Sequence, residues 1–191
     1  GSSLPWHKDY TRPQLLKFFL PSRDSHAAAY YDWGSELETE WKENYKLWMT
    51  FINEYKNRGG RVTAGSDSGY MYNLYGFGFV QELELLREAG FHPMEVIRAG
   101  TLHAAEAIGM EDKIGTVEVG KLADLILMDE NPLKNLKYLY ATGDIKLDEE
   151  NDVVRVGGVE KTIKDGIVYD ARLLLEDVKN IVDEEKSKTP D

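Results

Sequence analysis

The segment Arg61–Gly69, with the sequence Arg-Val-Thr-Ala-Gly-Ser-Asp-Ser-Gly, sets the expectations for the fold and for the functional site. Arg61–Ala64 predicts a short strand, because two of its residues are β-branched and Gly65 ends the run. Asp67 follows between two serines and two glycines, at the carboxyl end of that strand. In parallel α/β folds ligands bind at this end, where a carboxylate can serve as a metal ligand or a base. The alternative is a turn aspartate that bonds nearby backbone N–H groups.

Known nucleophile and phosphate motifs do not fit this segment. A nucleophile elbow places Ser at the centre of G-x-S-x-G, where this chain has Asp67. A phosphate-binding loop would continue into Gly-Lys-Ser/Thr, and no such sequence follows. A phosphatase with Asp67 as its nucleophile would need a second Asp two residues later, and Gly69 stands there. The metal-ligand, base and turn interpretations of Asp67 stay open at this point.

The composition limits the partners and the compartment of the protein. The 191 residues carry a net charge of −11 and a pI near 4.9, which argues against nucleic-acid partners and anionic membrane surfaces. No apolar run approaches the roughly 18 residues of a membrane span, so no membrane partner is expected. The chain has no cysteine, which excludes disulfides and thiolate metal sites and favours a cytoplasmic location. The length fits one domain, or one domain with a small second one.

The first part of the chain predicts a long helix preceded by an aromatic segment. Glu36–Arg58 has apolar residues every three or four positions, which is typical of a helix with one buried face. Ser35 is placed to cap this helix, and Gly59 follows its end. Leu4–Tyr31 is interpreted as a long ordered loop that contains a short helix at Pro13–Phe19.

After the Asp67 segment the pattern predicts helices, then short strands, then a last helix. The helices are expected over Phe79–Ala89, from Pro93, over Leu102–Ile108 and over Ala171–Glu185, with a frayed tail at Ser187–Asp191. The strand candidates are a hairpin-like run at Ile114–Lys121, then Leu122–Asp129, Leu136–Ala141 and Val153–Val156. The acidic run Asp148–Asp152 is expected to be a solvated loop. A hairpin is expected where Val159–Ile163 and Gly166–Tyr169 alternate about a Lys-Asp-Gly turn.

Four segments of the chain form a recognisable series. They are the strand and aspartate of Val62–Gly69, the helical pair Pro93–Gly109, the segment Gly115–Leu127 and the hairpin Val159–Tyr169. The third is the most specific, with the pattern Gly-x-(hydrophobic)-x-x-Gly-Lys-x-Ala-Asp-Leu, and it describes a tight turn that leads into a buried strand. In this order the segments resemble the C-terminal part of a metal-dependent amidohydrolase, of the branch that includes imidazolonepropionases and prolidases. The resemblance extends over residues 59–185.

The resemblance implies an α/β fold. It would comprise the last strand–helix unit of a (β/α)8 TIM-type barrel, followed by the C-terminal part of a small β-sandwich and a terminal helix. Residues 1–109 would then belong to the barrel, residues 110–170 to the sandwich segment, and residues 171–191 to the terminal helix and tail. A complete barrel takes about 250 residues, so the chain is expected to be a fragment of a longer protein.

The same resemblance gives Asp67 a role. Asp67 matches the aspartate that follows the last barrel strand of the family, where it ligates the metal and acts as general base toward the metal-bound water. The complete protein would use a divalent metal, most simply zinc, and would act on a small-molecule substrate with an amide, cyclic amide or related carbon–nitrogen bond. The residues expected around it, two serines that orient the carboxylate and three tyrosines at the pocket rim, are Ser66, Ser68, Tyr70, Tyr72 and Tyr75.

The chain lacks the histidine pattern that holds the metals in that family. Its histidines are His7, His26, His92 and His103, and no two of them form a His-x-His pair. His7 and His26 are interpreted as hydrogen-bonded loop residues, and His103 as a packing or capping residue. A catalytic zinc typically needs about three protein ligands. This chain alone is therefore predicted to be catalytically silent and to bind no metal.

The alternative to a portion of an enzyme is a non-catalytic α/β module, or one half of a split assembly that requires a partner chain. An isolated strand at Val62 would have unpaired edges, which favours self-association or pairing with the missing N-terminal part. The indole rings of Trp6, Trp41 and Trp48 are also expected to lose their covering in the isolated chain.

Overall fold

A computed structural model describes residues 4–25, 27–69 and 72–188, which form helices and short antiparallel strands. The helices are α1 Pro5–Tyr10, α2 Pro13–Phe18, α3 Ser35–Asn57, α4 Gly78–Glu88, α5 Pro93–Gly100, α6 Leu102–Ala107 and α7 Ala171–Lys188. The strands are β1 Leu125–Leu127, β2 Asp144–Leu147, β3 Val153–Val156, β4 Lys161–Lys164 and β5 Ile167–Asp170. Short 3-10 turns lie at Ala28–Tyr30 and Leu136–Leu139.

The long helix α3 forms where the apolar periodicity predicts it. Its start differs from the prediction, because Gly34 is the N-cap residue and Ser35 is already helical. The Ser35 carbonyl accepts the Thr39 hydroxyl at 2.8 Å. The helix ends as expected, since Gly59 takes a positive φ of 87° that favours glycine.

The main apolar core lies between α3, α4 and α5. Met49 and Ile52 of α3 pack against it from one side, and Val62 and Ala64 of the Asp67 segment also contact it. Its buried members are Leu83, Leu86, Ala89, Phe91, Val96, Ala99 and Leu136. Burial of this kind contributes about 1.5–3 kcal/mol for each large apolar side chain, so the core fixes the Asp67 segment against the helices.

A second, aromatic cluster covers Trp6. Its indole ring stacks on Phe77 with centroids 5.2 Å apart and lies 5.1 Å from the ring of Tyr140. The prediction that Trp6 loses its covering is therefore wrong, because the aromatic N-terminal segment folds back onto the start of α4. Trp41 and Trp48 are 52% and 60% exposed, as expected for an uncovered face of α3.

Two antiparallel sheets follow the helices. The predicted hairpin is confirmed as β4–β5, in which Ile163 lies opposite Val168, and β1 adds to it with Leu125 opposite Ile163. The strands β2 and β3 form a separate hairpin. The acidic run is the loop between them, where an Asp148 carboxylate oxygen accepts the N–H groups of Glu150 and Asp152.

The predicted strand Arg61–Ala64 has no strand partner within the described ranges. All strand pairs among the described residues are antiparallel, so the expected parallel pairing of a barrel unit is not seen there. The backbone of the segment contacts helical residues instead. The Ala64 N–H donates to the Ala99 carbonyl at 3.1 Å, and His103 Nδ1 lies 3.3 Å from the Val62 carbonyl oxygen.

Other strand predictions are shortened or replaced. Leu136–Ala141 is wrong as a strand, because the Asn135 side chain accepts the Lys137 N–H at 3.0 Å and starts a 3-10 turn. Ile114–Lys121 forms turns in place of a hairpin. Leu122–Asp129 contains only the short strand β1, whose length matches its pairing with β4. The expected burial of this strand is wrong, because Ile126 and Leu127 are about half exposed.

The two terminal regions are more helical than predicted. The segment interpreted as a loop with one helix also contains α1 and the 3-10 turn at Ala28–Tyr30. The helix α7 continues through Ser187 and Lys188, which were expected to fray. His26 lies outside the described residues. Among the helices that the structure describes, none combines the length and apolar character needed to cross a membrane.

Candidate active site at the Asp67 turn

The residues Gly65–Gly69, the Asp67 turn, present an exposed carboxylate. Asp67 has a φ of 47°, in the left-handed region that Asp adopts more readily than most non-glycine residues. Its carboxylate has no hydrogen-bond or ion-pair partner among the described residues. The turn interpretation requires bonds from this side chain to nearby backbone, and no such bond is made to the described residues. Because its side chain is exposed, the carboxylate is accessible to a ligand.

Asn73 closes the Asp67 turn from the following loop. Its Nδ2 group donates to the Ser66 carbonyl, and its own carbonyl accepts the Gly69 N–H at 2.7 Å. The hydroxyls of Ser66 and Ser68 lie 2.8 Å apart, and Ser68 donates to Asn73 Oδ1 at 3.5 Å. The two serines thus bond each other and Asn73. The sequence reasoning missed Asn73, although an amide in a glycine-rich loop is a known signal for side-chain–backbone turns.

Two glycines allow this close packing. Gly69 has a φ of 105°, and a Cβ there would lie 2.6 Å from the Tyr75 hydroxyl. A Cβ on Gly78, the first residue of α4, would overlap the side-chain oxygen of Asn73. Side chains at either position would displace the groups that hold the turn.

The tyrosines predicted at the pocket rim are only partly described. Tyr72 and Tyr75 both line a groove of about 470 Å³ between α2, α7 and the loop after the Asp67 turn. Tyr72 is half-buried with a φ of 56°, whereas Tyr75 is 79% exposed. Tyr70 lies outside the described residues. The rim role of these tyrosines stays a prediction.

His7 is buried against the loop that follows the turn. Its Nε2 lies 2.7 Å from the Tyr72 carbonyl oxygen, and its ring centroid is 5.4 Å from that of Tyr72. Burial lowers the pKa of His7 below its ordinary value, although the bond to Tyr72 opposes the shift. Its Nδ1 is also buried, and the structure shows no hydrogen-bond partner for it among the described residues.

The described residues do not fit a metal by themselves. Within residues 4–25, 27–69 and 72–188, no three His, Asp or Glu side chains are grouped so that they could hold an ion. His7 bonds Tyr72, His103 contacts the Val62 carbonyl, and His92 lies exposed at the start of α5. Asp67 therefore offers one ligand, where a catalytic metal typically has three from protein.

An apolar cavity of about 840 Å³ lies elsewhere, between α4, α5 and the three-stranded sheet. Its walls include Phe79, Leu83, Met94, Ile97, Ile126 and Leu174. Asp67 does not line it, and its walls carry no ionisable side chain. The candidate site is consequently defined by the Asp67 turn and its supports.

The helices and short strands define the chain as an α/β protein. The model of the amidohydrolase family matches residues 48–168, which is more than half of the chain. The chain therefore belongs to the amidohydrolase family, and the resemblance inferred from the sequence is confirmed.

Individual relatives match shorter parts. Imidazolonepropionase of Symbiobacterium thermophilum is 40% identical over 75 residues, which are 37% of this chain and 16% of that protein. The 5'-deoxyadenosine deaminase of Methanobrevibacter smithii is 34% identical over 110 residues, 56% of this chain and 23% of that protein. The crystal structure of an uncharacterized protein matches with a TM-score of 0.53 and 24% identity over 76% of this chain and 31% of that one, which supports the fold alone. The chain thus spans less than a third of the length of each.

Proposed function

We propose that this chain is the C-terminal portion of a metal-dependent hydrolase of amide or related carbon–nitrogen bonds, with Asp67 as metal ligand and general base. The observation that carries the proposal is the exposed carboxylate of Asp67, which has no partner among the described residues and lies on a turn whose backbone is bonded to Asn73 on both sides. Membership of the amidohydrolase family supports the reaction class. The names of the imidazolonepropionase and deaminase relatives agree with it.

The conformation of Asp67 alone does not indicate a function, because Asp adopts the left-handed backbone more readily than most residues and Asp165 does so in a hairpin turn. The support comes from the contacts of the turn: Asn73 holds its backbone, and the carboxylate of Asp67 makes no bond to the described residues. The remaining ligands for a divalent metal, zinc by expectation, must come from polypeptide outside the described residues. This chain alone is therefore expected to be inactive.

The test replaces Asp67 with Asn in a polypeptide that supplies the rest of the family domain. Asn tolerates the left-handed backbone, so the change removes the charge and spares the turn. Metal per chain should fall, and hydrolysis of a cyclic amide should slow by about 10²-fold or more. The matched control is Asp165→Asn, since Asp165 is also exposed with a left-handed φ of 50°, at a distant hairpin. Unchanged metal content and rate in Asp67→Asn would overturn the proposal.

The surface of α3 supports a second part of the proposal, that another polypeptide covers this region. The side chains that leave one side of α3 apolar and exposed are Trp41, Leu47, Trp48, Phe51 and Tyr55. The Tyr55 ring lies against Gly60, so this face continues directly into Arg61–Ala64, which has no strand partner among the described residues. Exposed apolar patches and unpaired strand edges are typical of interaction surfaces. We propose that the remaining part of the family domain binds here.

Light scattering after size exclusion tests this surface. The isolated chain is expected to self-associate, and the double variant Trp48→Glu, Phe51→Glu is expected to be monomeric because two charges interrupt the apolar face. Leu173→Glu is the control, because Leu173 is 55% exposed on α7. A wild-type monomer with a cooperative melt would contradict the missing partner and would favour a self-contained, non-catalytic α/β module.

A further inference from the structure

We propose that His7 is a positioning residue that fixes the Asp67 turn through Tyr72 and Asn73. The catalytic meaning of this role rests on the proposed function. The series of bonds from His7 through Tyr72 and Asn73 to the Asp67 turn, which we call the tether, is a property of this chain. The contacts form one continuous series: His7 bonds the Tyr72 carbonyl, and the next residue, Asn73, bonds the turn on both sides of Asp67. Residues 65 positions apart in the sequence are thereby linked at the candidate site.

The acceptor determines the tautomer of His7. A carbonyl oxygen only accepts hydrogen bonds, so Nε2 must carry the proton that is donated to Tyr72. In the neutral ring Nδ1 is then an unprotonated acceptor, which agrees with its burial without a donor among the described residues. His7 is only 1% exposed, so bulk water does not reach Nε2 to replace the Tyr72 carbonyl as its hydrogen-bond acceptor.

The backbone that His7 holds is strained. Tyr72 has a φ of 56°, a left-handed conformation that is unusual for an aromatic residue. Asp67, at the far end of the series, has a φ of 47°. Conformations of this kind persist only when several contacts determine them together. Loss of the His7 bond would allow Tyr72 to relax and would carry Asn73 away from Ser66 and Gly69.

The charge state of His7 couples the turn to pH. Protonation would place an unpaired N–H on buried Nδ1, and burial accordingly holds the pKa of His7 below its ordinary value near 6.5. Because the folded-state pKa is the lower one, the tether is intact above about pH 6.5 and is lost as pH falls through the folded-state pKa. The ring faces the rings of Tyr72 and Trp6, and the charged neighbours on its own helix are Lys8 and Asp9.

The first test compares His7→Phe with His7→Gln in this chain. The reporter is the protection of the Gly69 amide against hydrogen exchange, because Gly69 N–H bonds Asn73. Phe removes the donor, and protection should fall about tenfold, as expected for loss of one buried hydrogen bond. Gln keeps an N–H donor at a similar reach and should restore most of the protection. Val96→Ala is the control, since Val96 is fully buried in the other core cluster and does not contact the tether.

Selective loss at Gly69 in His7→Phe, with rescue in His7→Gln, supports the tether. Wild-type protection at Gly69 in a folded His7→Phe chain overturns it, and so does a loss that Val96→Ala reproduces at equal global stability. These outcomes need neither metal nor substrate. A failure of Asp67→Asn to change hydrolysis would thus leave them intact, and the two proposals fail separately.

A second test uses the wild-type chain and does not depend on the folding of a variant. Nitrogen chemical shifts of the imidazole should show the Nε2–H tautomer at neutral pH, with a pKa below 6.5. The protection factor of the Gly69 amide, corrected for intrinsic exchange, should fall as His7 becomes protonated. An Nδ1–H tautomer, or Gly69 protection that does not follow the titration of His7, would contradict the proposal.

Discussion

Residues 78–170, the closed region, contain fully buried apolar side chains, whereas residues 35–68, the open region, contain none, although both regions also expose apolar residues. In the first region Phe91 is 2% exposed and lies in the core between the helices. In the second region Phe51 is 58% exposed, although both residues are phenylalanines in or beside helices of the same fold. The difference teaches that the closed region is stabilised by contacts within this chain. The open region keeps apolar surface that, on our proposal, another polypeptide covers.

The largest expected effect is on the closed region. Phe91→Ala should lower the free energy of unfolding by about 3–5 kcal/mol, because it leaves a cavity in the core. The substitution also removes the ring over which Lys56 Nζ lies at 5.0 Å from the centroid. Urea unfolding measures the change. A loss below about 1 kcal/mol would mean that the core is loosely packed and that the contrast between the regions is not real.

Two hydrogen-bonded tyrosine–glutamate pairs, one buried and one on the surface, test the same difference between the two regions. Tyr140 is 3% exposed, and its hydroxyl donates to a Glu84 carboxylate oxygen at 2.5 Å. Burial and Glu84 raise the pKa of Tyr140 above its usual range, so its hydroxyl remains a donor at neutral pH. Tyr140→Phe should cost about 2 kcal/mol, since it leaves the half-buried carboxylate of Glu84 short of a donor.

The matched substitution in the open region is Tyr45→Phe. Tyr45 donates to Glu88 at 2.9 Å on the surface, and burial together with Glu88 raises its pKa to about 12. Removal of the Tyr45 hydroxyl should change the free energy of unfolding by less than about 0.5 kcal/mol. If Tyr140→Phe and Tyr45→Phe lose equal free energy of unfolding in urea, the two regions do not differ in the way proposed.

A smaller effect is expected where the two regions meet. Gly78→Ala would normally favour a helix by up to about 1 kcal/mol, but here its Cβ overlaps Asn73. We expect a net loss of about 1 kcal/mol from overpacking, with selective loss of Gly69 amide protection. Gly34→Ala is the control, since a Cβ there meets nothing within 4 Å. A stabilised Gly78→Ala chain with unchanged protection would show that Asn73 does not hold the turn.

The smallest effect is expected on the open face. Phe51→Ala should change the stability of the isolated chain by less than about 0.5 kcal/mol, because the ring is largely in solvent. Its effect should appear only on association with the rest of the family domain, as a loss of about tenfold in affinity measured by calorimetry. A large destabilisation of the isolated chain would show that this face is already covered.

The candidate site was only half predictable from the sequence. Asp67 stood out because its glycine and serine neighbours form a local pattern, and such a pattern can be recognised from the sequence alone. Asn73 and His7 did not stand out, because their importance depends on which backbone atoms the fold brings to them. The same reasoning explains Trp6, whose covering by Phe77 and Tyr140 comes from distant parts of the chain.

The sequence by itself determined the elements whose signals are short in range. The periodicity of α3, the alternation of β4 and β5 and the Gly-Lys-x-Ala-Asp-Leu segment specified helix, hairpin and family, because each depends on neighbours within a few turns or a single hairpin. Only the tertiary structure decided that Arg61–Ala64 lies without a strand partner among the described residues, that Asn73 bonds the Asp67 turn and that His7 bonds the Tyr72 carbonyl. The physical reason is that strand pairing and buried hydrogen bonds require partners far away in the chain, which no local pattern identifies.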